Sequence, residues 1–311
     1  MSWAFTFPGQ GSQVVGMGKE LADAYPAARA VFEEVDDALG QKLSTIIWDG
    51  PNDDLTLTAN TQPALMAVSL SIVRALESEG FVLKDKVAYV AGHSLGEYSA
   101  LAAAGAFTIA DTARLLRIRG EAMQAAVPVG EGAMAAIIGL ERDQVDTICN
   151  DNSTGGVCQI ANDNGAGQLV ISGSKANIET AAQQASEMGA KRARLLPVSA
   201  PFHSALMAPA ADAMKTALAE VDIQAPCVPL VANVAAGPVT DPAEIIDLLV
   251  KQVTGQVRWR ESVGWLDANG VTEIFEVGAG KVLTGLARRI APDMTAKPVN
   301  TPQDIAELAS Q

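Results

Sequence analysis

The chain has 311 residues, 49% of them hydrophobic, enough for one large domain or for one domain carrying a smaller inserted one. A net charge of −14 excludes the broad basic surface that nucleic acids and anionic membranes demand, and leaves any acidic partner dependent on a local basic site. The three cysteines, Cys149, Cys158 and Cys227, are odd in number and fit no metal pattern, so three buried thiols in a reducing compartment are expected.

Residues 3–7 read as a short strand that lacks the basic region of a signal peptide and runs straight into Pro8-Gly9-Gln10-Gly11-Ser12-Gln13. Two glycines in four residues let the backbone approach a ligand, and successive N–H groups there can form an anion nest. No Gly-Lys-Ser/Thr follows, which excludes a phosphate loop. Residues 20–39 are helical in composition, with Pro26 as an interruption. Gln62-Pro63-Ala64-Leu65 predicts the start of a helix that continues to Leu76 and is closed by Gly80, with Gln62 at its cleft-facing edge. This longest apolar stretch contains Ser69, Ser71 and Arg74, too short and too polar to span a bilayer, so a soluble, cytoplasmic protein is expected.

Residues 86–91 read as a buried strand and residues 97–104 as a helix, with Gly92-His93-Ser94-Leu95-Gly96 between them. Strand, tight G-x-S-x-G turn and helix is the setting that strains a serine and exposes its Oγ, at a helix N-terminus favourable to a developing oxyanion. Residues 111–127 predict the next helix. At about 100° per residue, Leu115, Leu116, Ile118, Ala122 and Met123 form one apolar arc with Arg119 in its middle. An inward guanidinium keeps its charge and needs an anion, either a core carboxylate or a carboxylate substrate.

After a linker at residues 128–132 the pattern changes to strand, helix, strand, strand, helix and a last strand over residues 191–199, the order of a ferredoxin-like module. It is expected as an insertion of residues 131–200 into a core formed by residues 1–130 and 201–311, because strand–helix segments resume afterwards. The chain has two histidines. His93 adjoins Ser94 on a turn and should point away from it, which leaves His203, in Ala200-Pro201-Phe202-His203-Ser204, as the imidazole able to activate Ser94. Downstream, residues 204–219 are helical, 226–234 a strand containing proline, 242–253 a helix and 271–277 a strand leading through Gly278-Ala279-Gly280-Lys281 to a helix ending at Ile290.

Six motifs in this order resemble the malonyl-CoA:acyl carrier protein transacylases, nearly end to end: Phe7-Pro8-Gly9-Gln10-Gly11-Ser12-Gln13, Thr61-Gln62-Pro63-Ala64, Gly92-His93-Ser94-Leu95-Gly96-Glu97-Tyr98, Arg119-Gly120, Pro201-Phe202-His203-Ser204 and Glu276-Val277-Gly278. The resemblance implies an α/β fold, with a hydrolase-like core built on a mainly parallel sheet and an inserted ferredoxin-like subdomain. It implies Ser94 as nucleophile, His203 as base and then acid, and the backbone N–H groups of Gln10 and Leu95 as oxyanion hole. Arg119 would grip the malonyl carboxylate, Gln62 would line the same pocket, and the main-chain carbonyl of Gln252 would orient His203. Phe202 resembles the bulky residue of malonyl-selective members. No metal or bound cofactor is implied. Malonyl-CoA and the phosphopantetheine of acyl carrier protein would be substrates, and the protein a monomer, as members commonly are. Lys191, Arg192, Arg288 and Arg289 are candidates for docking the acidic carrier protein. Asn164-Gly165-Ala166-Gly167-Gln168 and Ala279 depart from the family pattern by lacking prolines, which bears on loop rigidity. The alternatives are a serine thioesterase or hydrolase, which leaves Arg119 and the inserted module unexplained, and a non-catalytic acyl-CoA or carrier-protein binding module, which has no need of both Ser94 and His203.

Overall fold

The computed structural model describes residues 2–198 and 200–311. Its ten strands in chain order are β1 (Trp3–Phe7), β2 (Val87–Gly92), β3 (Gly132–Ile138), β4 (Cys158–Asp163), β5 (Gln168–Ser174), β6 (Arg192–Leu195), β7 (Leu230–Ala232), β8 (Gly237–Val239), β9 (Glu273–Val277) and β10 (Thr295–Val299). Six form one sheet in the order β10-β9-β1-β2-β7-β8, parallel except for the β7–β8 edge pair. Every residue of β1 is buried, as a central parallel strand covered on both faces requires. Phe5 and Phe7 face a large core built with the helices Pro26–Leu39, Thr58–Ser78 and Ile109–Ala125, while Ala4 faces a second cluster with Trp259 and Leu286.

The other four strands form an antiparallel sheet in the order β4-β5-β3-β6, the ferredoxin-like arrangement. Alternation along its strands decides what each face covers. Ala135, Ile137 and Ile171 pack beneath the helices Arg142–Asp151 and Lys175–Glu187, while Met134 and Val170 belong to the large core on the opposite face. The sheet is tied to the rest by backbone as well as side chains. Val257 N–H donates to Ala161 O (2.8 Å), Asp163 N–H donates to Val257 O (3.0 Å), and the buried Asp163 carboxylate accepts from Arg260 Nε at 2.9 Å and Arg142 Nη1 at 3.3 Å.

Several details differ from expectation. The helix predicted to open at Gln62 starts one turn earlier, at Thr58, and carries Pro63 inside it, which puts Gln62 in the second turn and fully buried. Ile118 lies about 100° round the helix from Arg119 and is 39% exposed, so it falls off the edge of the buried arc. Cys149 and Cys158 are buried, but Cys227 is exposed, in a segment held to the core through its own N–H to Ala104 O (2.8 Å). The strand expected over residues 226–234 is only β7, and the one expected over residues 191–199 is only β6, with Ser199 outside the described residues. Sequence reading passed over the helices Leu43–Asp49, Asn52–Thr56, Leu83–Lys86, Trp259–Ala268 and Pro302–Ala309, and also β8 and β10. Among the described residues no helix is long and apolar enough to cross a membrane.

Candidate active site

β2 ends in the middle of the parallel sheet, and Ser94 stands just beyond its carboxyl end, where open α/β sheets bind ligands. The turn is so tight that side chains are excluded on both sides. A Cβ on Gly92 would lie 1.9 Å from the carbonyl carbon of Gly96, and one on Gly96 would lie 2.2 Å from Phe7 O. Ser94 itself has φ of 55°, a strained conformation for a residue with a side chain, and the helix Gly96–Ala103 begins two residues later. Asn233, one residue past β7, staples the turn by accepting from Ser94 N–H at 2.8 Å and donating from Nδ2 to Gly92 O at 2.6 Å. The Ser94 N–H is thereby occupied. The amides of Gln10 and Leu95 make no hydrogen bond among the described residues, and both residues line the cavity beside Ser94.

His203, with φ of 56°, reaches the serine from the segment between β6 and the Ala205–Met207 turn of helix. Its Nε2 is 2.8 Å from Ser94 Oγ, and its Nδ1 is 2.9 Å from the main-chain oxygen of Gln252. A carbonyl can only accept, so Nδ1 carries the proton and Nε2 offers its lone pair to the serine hydroxyl. Burial, and then the nearby Arg119 charge, push the imidazole down to about 3, against the pull of the Gln252 carbonyl. The ring is therefore neutral at neutral pH. His93 points away from Ser94, with Nε2 2.9 Å from Asn164 Oδ1 on the loop between β4 and β5.

Arg119 enters from the helix Ile109–Ala125. That helix lies so close to the helix Thr58–Ser78 that a Cβ on Gly120 would come within 2.7 Å of Ala59 Cα, and the approach brings Gln62 to Arg119. The guanidinium is 1% exposed and donates to Gln62 Oε1 (2.8 Å), Gln252 Oε1 (2.8 Å) and Ser94 Oγ (3.1 Å). It lies 5.7 Å from the centre of the Tyr98 ring, whose phenol burial pushes up to about 12 and keeps neutral. Desolvation works against the guanidinium charge, with Tyr98 and Glu97 opposing. Among the described residues no carboxylate forms an ion pair with Arg119. The cavity in front of these groups measures about 200 Å³, and Met123, Met134, Val198 and Phe202 supply apolar wall. Of the sequence candidates, Gln10, Gln62, Ser94, Leu95, Arg119 and His203 thus meet around one cavity, and Gln252 stands behind it.

The acyl transferase domain family matches residues 4–275. The malonyl CoA-acyl carrier protein transacylase of Bacillus subtilis strain 168 is 46% identical over 309 residues, 99% of this chain and 96% of the relative. The chain belongs to the malonyl CoA-acyl carrier protein transacylase family. The crystal structure of an acyl-carrier-protein-S-malonyltransferase from Bartonella henselae superposes with a TM-score of 0.98 at 63% identity, covering 100% of this chain and 99% of that one. A malonyl-transacylase solved in complex with its type II PKS acyl-carrier protein gives a TM-score of 0.96 at 40% identity, covering 100% and 99%.

Within this transacylase three contributions escaped sequence reading. Asn233 could have been noticed as the polar residue closing the apolar run of β7, beside the serine strand. Glu97 lies inside the motif around Ser94 but is wholly buried, and desolvation raises its carboxyl to about 7 against hydrogen bonds from Gln252 and Asn233 and the charge of Arg119. The Gln252 side chain, donating to Ser94 O at 2.9 Å, bears on the site in addition to its main-chain carbonyl. Of the four basic candidates, Arg288 already donates to Ala296 O at 2.8 Å and Arg289 to Gln168 Oε1 at 3.1 Å, whereas Arg192, the first residue of β6, and Lys191 just before it are exposed.

Proposed function

We propose that the chain transfers a malonyl group from malonyl-CoA to the phosphopantetheine thiol of acyl carrier protein through an ester on Ser94. The observation that carries this reading is the wholly buried Arg119 guanidinium, 3.1 Å from the Ser94 hydroxyl in the same cavity. A substrate ending in a carboxylate gives that cation the anionic partner it lacks, and holds the thioester carbon next to Ser94.

In the first half-reaction His203 Nε2 takes the Ser94 proton as Oγ attacks the thioester carbonyl. The oxyanion forms against the N–H groups of Gln10 and Leu95 and at the N-terminus of the helix Gly96–Ala103. Collapse breaks the C–S bond, the CoA sulfur takes the proton from His203, and malonyl-Ser94 remains. In the second half the carrier thiol gives its proton to His203, attacks the ester, and leaves with the malonyl group as Ser94 recovers its proton. The imidazolium formed in each half is held by the Gln252 carbonyl at 2.9 Å. A carbonyl there, where serine hydrolases commonly use a carboxylate, sets no second charge beside Arg119. No bound cofactor enters this scheme. Carrier docking would draw on Lys191, Arg192, Arg288 and Arg289, of which Arg289 is bonded to the cavity-lining Gln168.

Intact mass measurement after brief exposure to malonyl-CoA tests the reading. One malonyl adduct on the native chain and none on Ser94→Ala is expected; steady CoA release without an adduct would point to hydrolysis instead.

A further inference from the structure

The Gln252 amide stands between two charged groups and can face only one way. Its Nε2 meets three acceptors, Ser94 O at 2.9 Å, a carboxylate oxygen of Glu97 and Asn233 Oδ1 at 3.4 Å, while its Oε1 accepts from Arg119 at 2.8 Å. A flipped amide would set its oxygen against three oxygens and its NH₂ against a guanidinium. The ionisable member of the trio is Glu97, which is 1% exposed, accepts from Gln252 Nε2 on one oxygen and from Asn233 N–H on the other, and, raised to about 7 by desolvation, carries its full charge only above neutral pH. Its place in the first turn of the helix Gly96–Ala103 favours negative charge.

We infer that Glu97 is a positioning residue for substrate selection: its carboxylate locks the Gln252 amide, and the locked amide aims Arg119 at the carboxylate of the acyl group. The inference rests on the malonyl-transfer reading above. One intervening amide is the useful distance. A carboxylate in direct contact with Arg119 would occupy the donors that the substrate needs, and no carboxylate at all would leave a buried cation free to turn. Through Gln252 the negative charge is felt by Arg119 while the Nη2 group that meets Ser94 Oγ at 3.1 Å keeps facing the reacting serine. Glu97 has no hydrogen bond to Ser94 Oγ or to His203 and reaches the Ser94 turn only at second hand, through Gln252 Nε2 on Ser94 O and through Asn233, which accepts from Ser94 N–H, so the test must read the serine separately from the acyl carboxylate.

The test compares malonyl loading of Ser94 with labelling of the same serine by an uncharged fluorophosphonate, which needs Ser94 and His203 but offers no carboxylate. In Glu97→Gln, a near-isosteric change, malonyl loading should slow ~10- to 100-fold and labelling by less than ~3-fold. In the double variant Glu97→Gln/Gln252→Glu, net charge is conserved but the carboxylate now touches Arg119. Malonyl loading should then fall further than in Glu97→Gln; labelling is the control for Glu97→Gln alone, because the Gln252 side chain itself donates to Ser94 O. Malonyl loading in Glu97→Gln within ~2-fold of native, a parallel fall of loading and labelling in that variant, or a double variant that loads malonyl as fast as Glu97→Gln, would overturn the inference. A native protein that takes the probe but no malonyl would instead overturn the transfer reading itself.

Discussion

The two ends of the cavity are built by different means. At the Ser94 end the backbone does the positioning, because two glycines admit no side chain, Ser94 sits at positive φ and Asn233 pins the turn to the neighbouring strand. At the Arg119 end the positioning is all side chain: a guanidinium held by Gln62 and Gln252, with Glu97 behind Gln252. Backbone positioning suits a nucleophile that must occupy one point for any acyl group. Side-chain positioning suits a group that must choose among acyl groups, because its donors are released to the ligand without moving the fold.

The most damaging way to break this contrast is Gly96→Ala. A methyl 2.2 Å from Phe7 O forces β1 and the helix after Ser94 apart, and denaturant unfolding should show a loss of ~3 kcal/mol or more. Little change in the midpoint would mean the turn has slack. Next comes Arg119→Met, where relief of a buried charge is offset by loss of the donors to Gln62 Oε1 and Gln252 Oε1, so stability should change by less than ~2 kcal/mol. Malonyl loading should nevertheless drop ~100-fold or more, measured by stopped-time mass analysis. Comparable losses in stability and loading would erase the distinction between the two ends.

The smallest effect joins them. His203 is held down to about 3 by burial and by Arg119, so between about pH 5 and 8 it stays neutral in the folded chain. His203 therefore contributes no fall near pH ~6.5, and the group that titrates in this range is Glu97, raised to about 7 by desolvation, whose protonation should slow loading towards the Glu97→Gln rate as pH falls. Because the unfolded chain protonates His203 first, the shift of that imidazole makes folding less favourable as pH falls from ~6.5 towards 3. Removing the Arg119 charge takes away one of the two causes, so in Arg119→Met the acid limb should move up in pH. A tenfold loss per unit below pH ~6.5 in Glu97→Gln, where His203 is the remaining titrating group of the site, would contradict the account.

The same contrast explains what could be read from the chain. Ser94 was legible because glycines on either side, after a strand and before a helix, report a backbone constraint directly. Arg119 was legible because a charge in the middle of an apolar arc is anomalous on a helix of period 3.6. The alternation that makes the four-stranded sheet was local and equally plain. Glu97, Asn233 and the Gln252 side chain were not, because they meet across 136 and 155 positions of sequence and have no local pattern. The helices Leu43–Asp49 and Asn52–Thr56 lack a side-chain cap, and β10 carries Lys297 and Pro298, which read as loop although an edge strand tolerates both. Gln62 lines the cavity, but Pro63 lies inside its helix rather than at the start, so the helix-edge argument does not account for its place.

The most direct measurement of the central claim is a single-turnover transfer. Native protein loaded with malonyl-CoA, freed of CoA and mixed with phosphopantetheinylated acyl carrier protein should lose its malonyl mass from Ser94 as the carrier gains it, mole for mole. Malonyl that remains on Ser94, or that appears in solution as free malonate while the carrier stays unmodified, would contradict it.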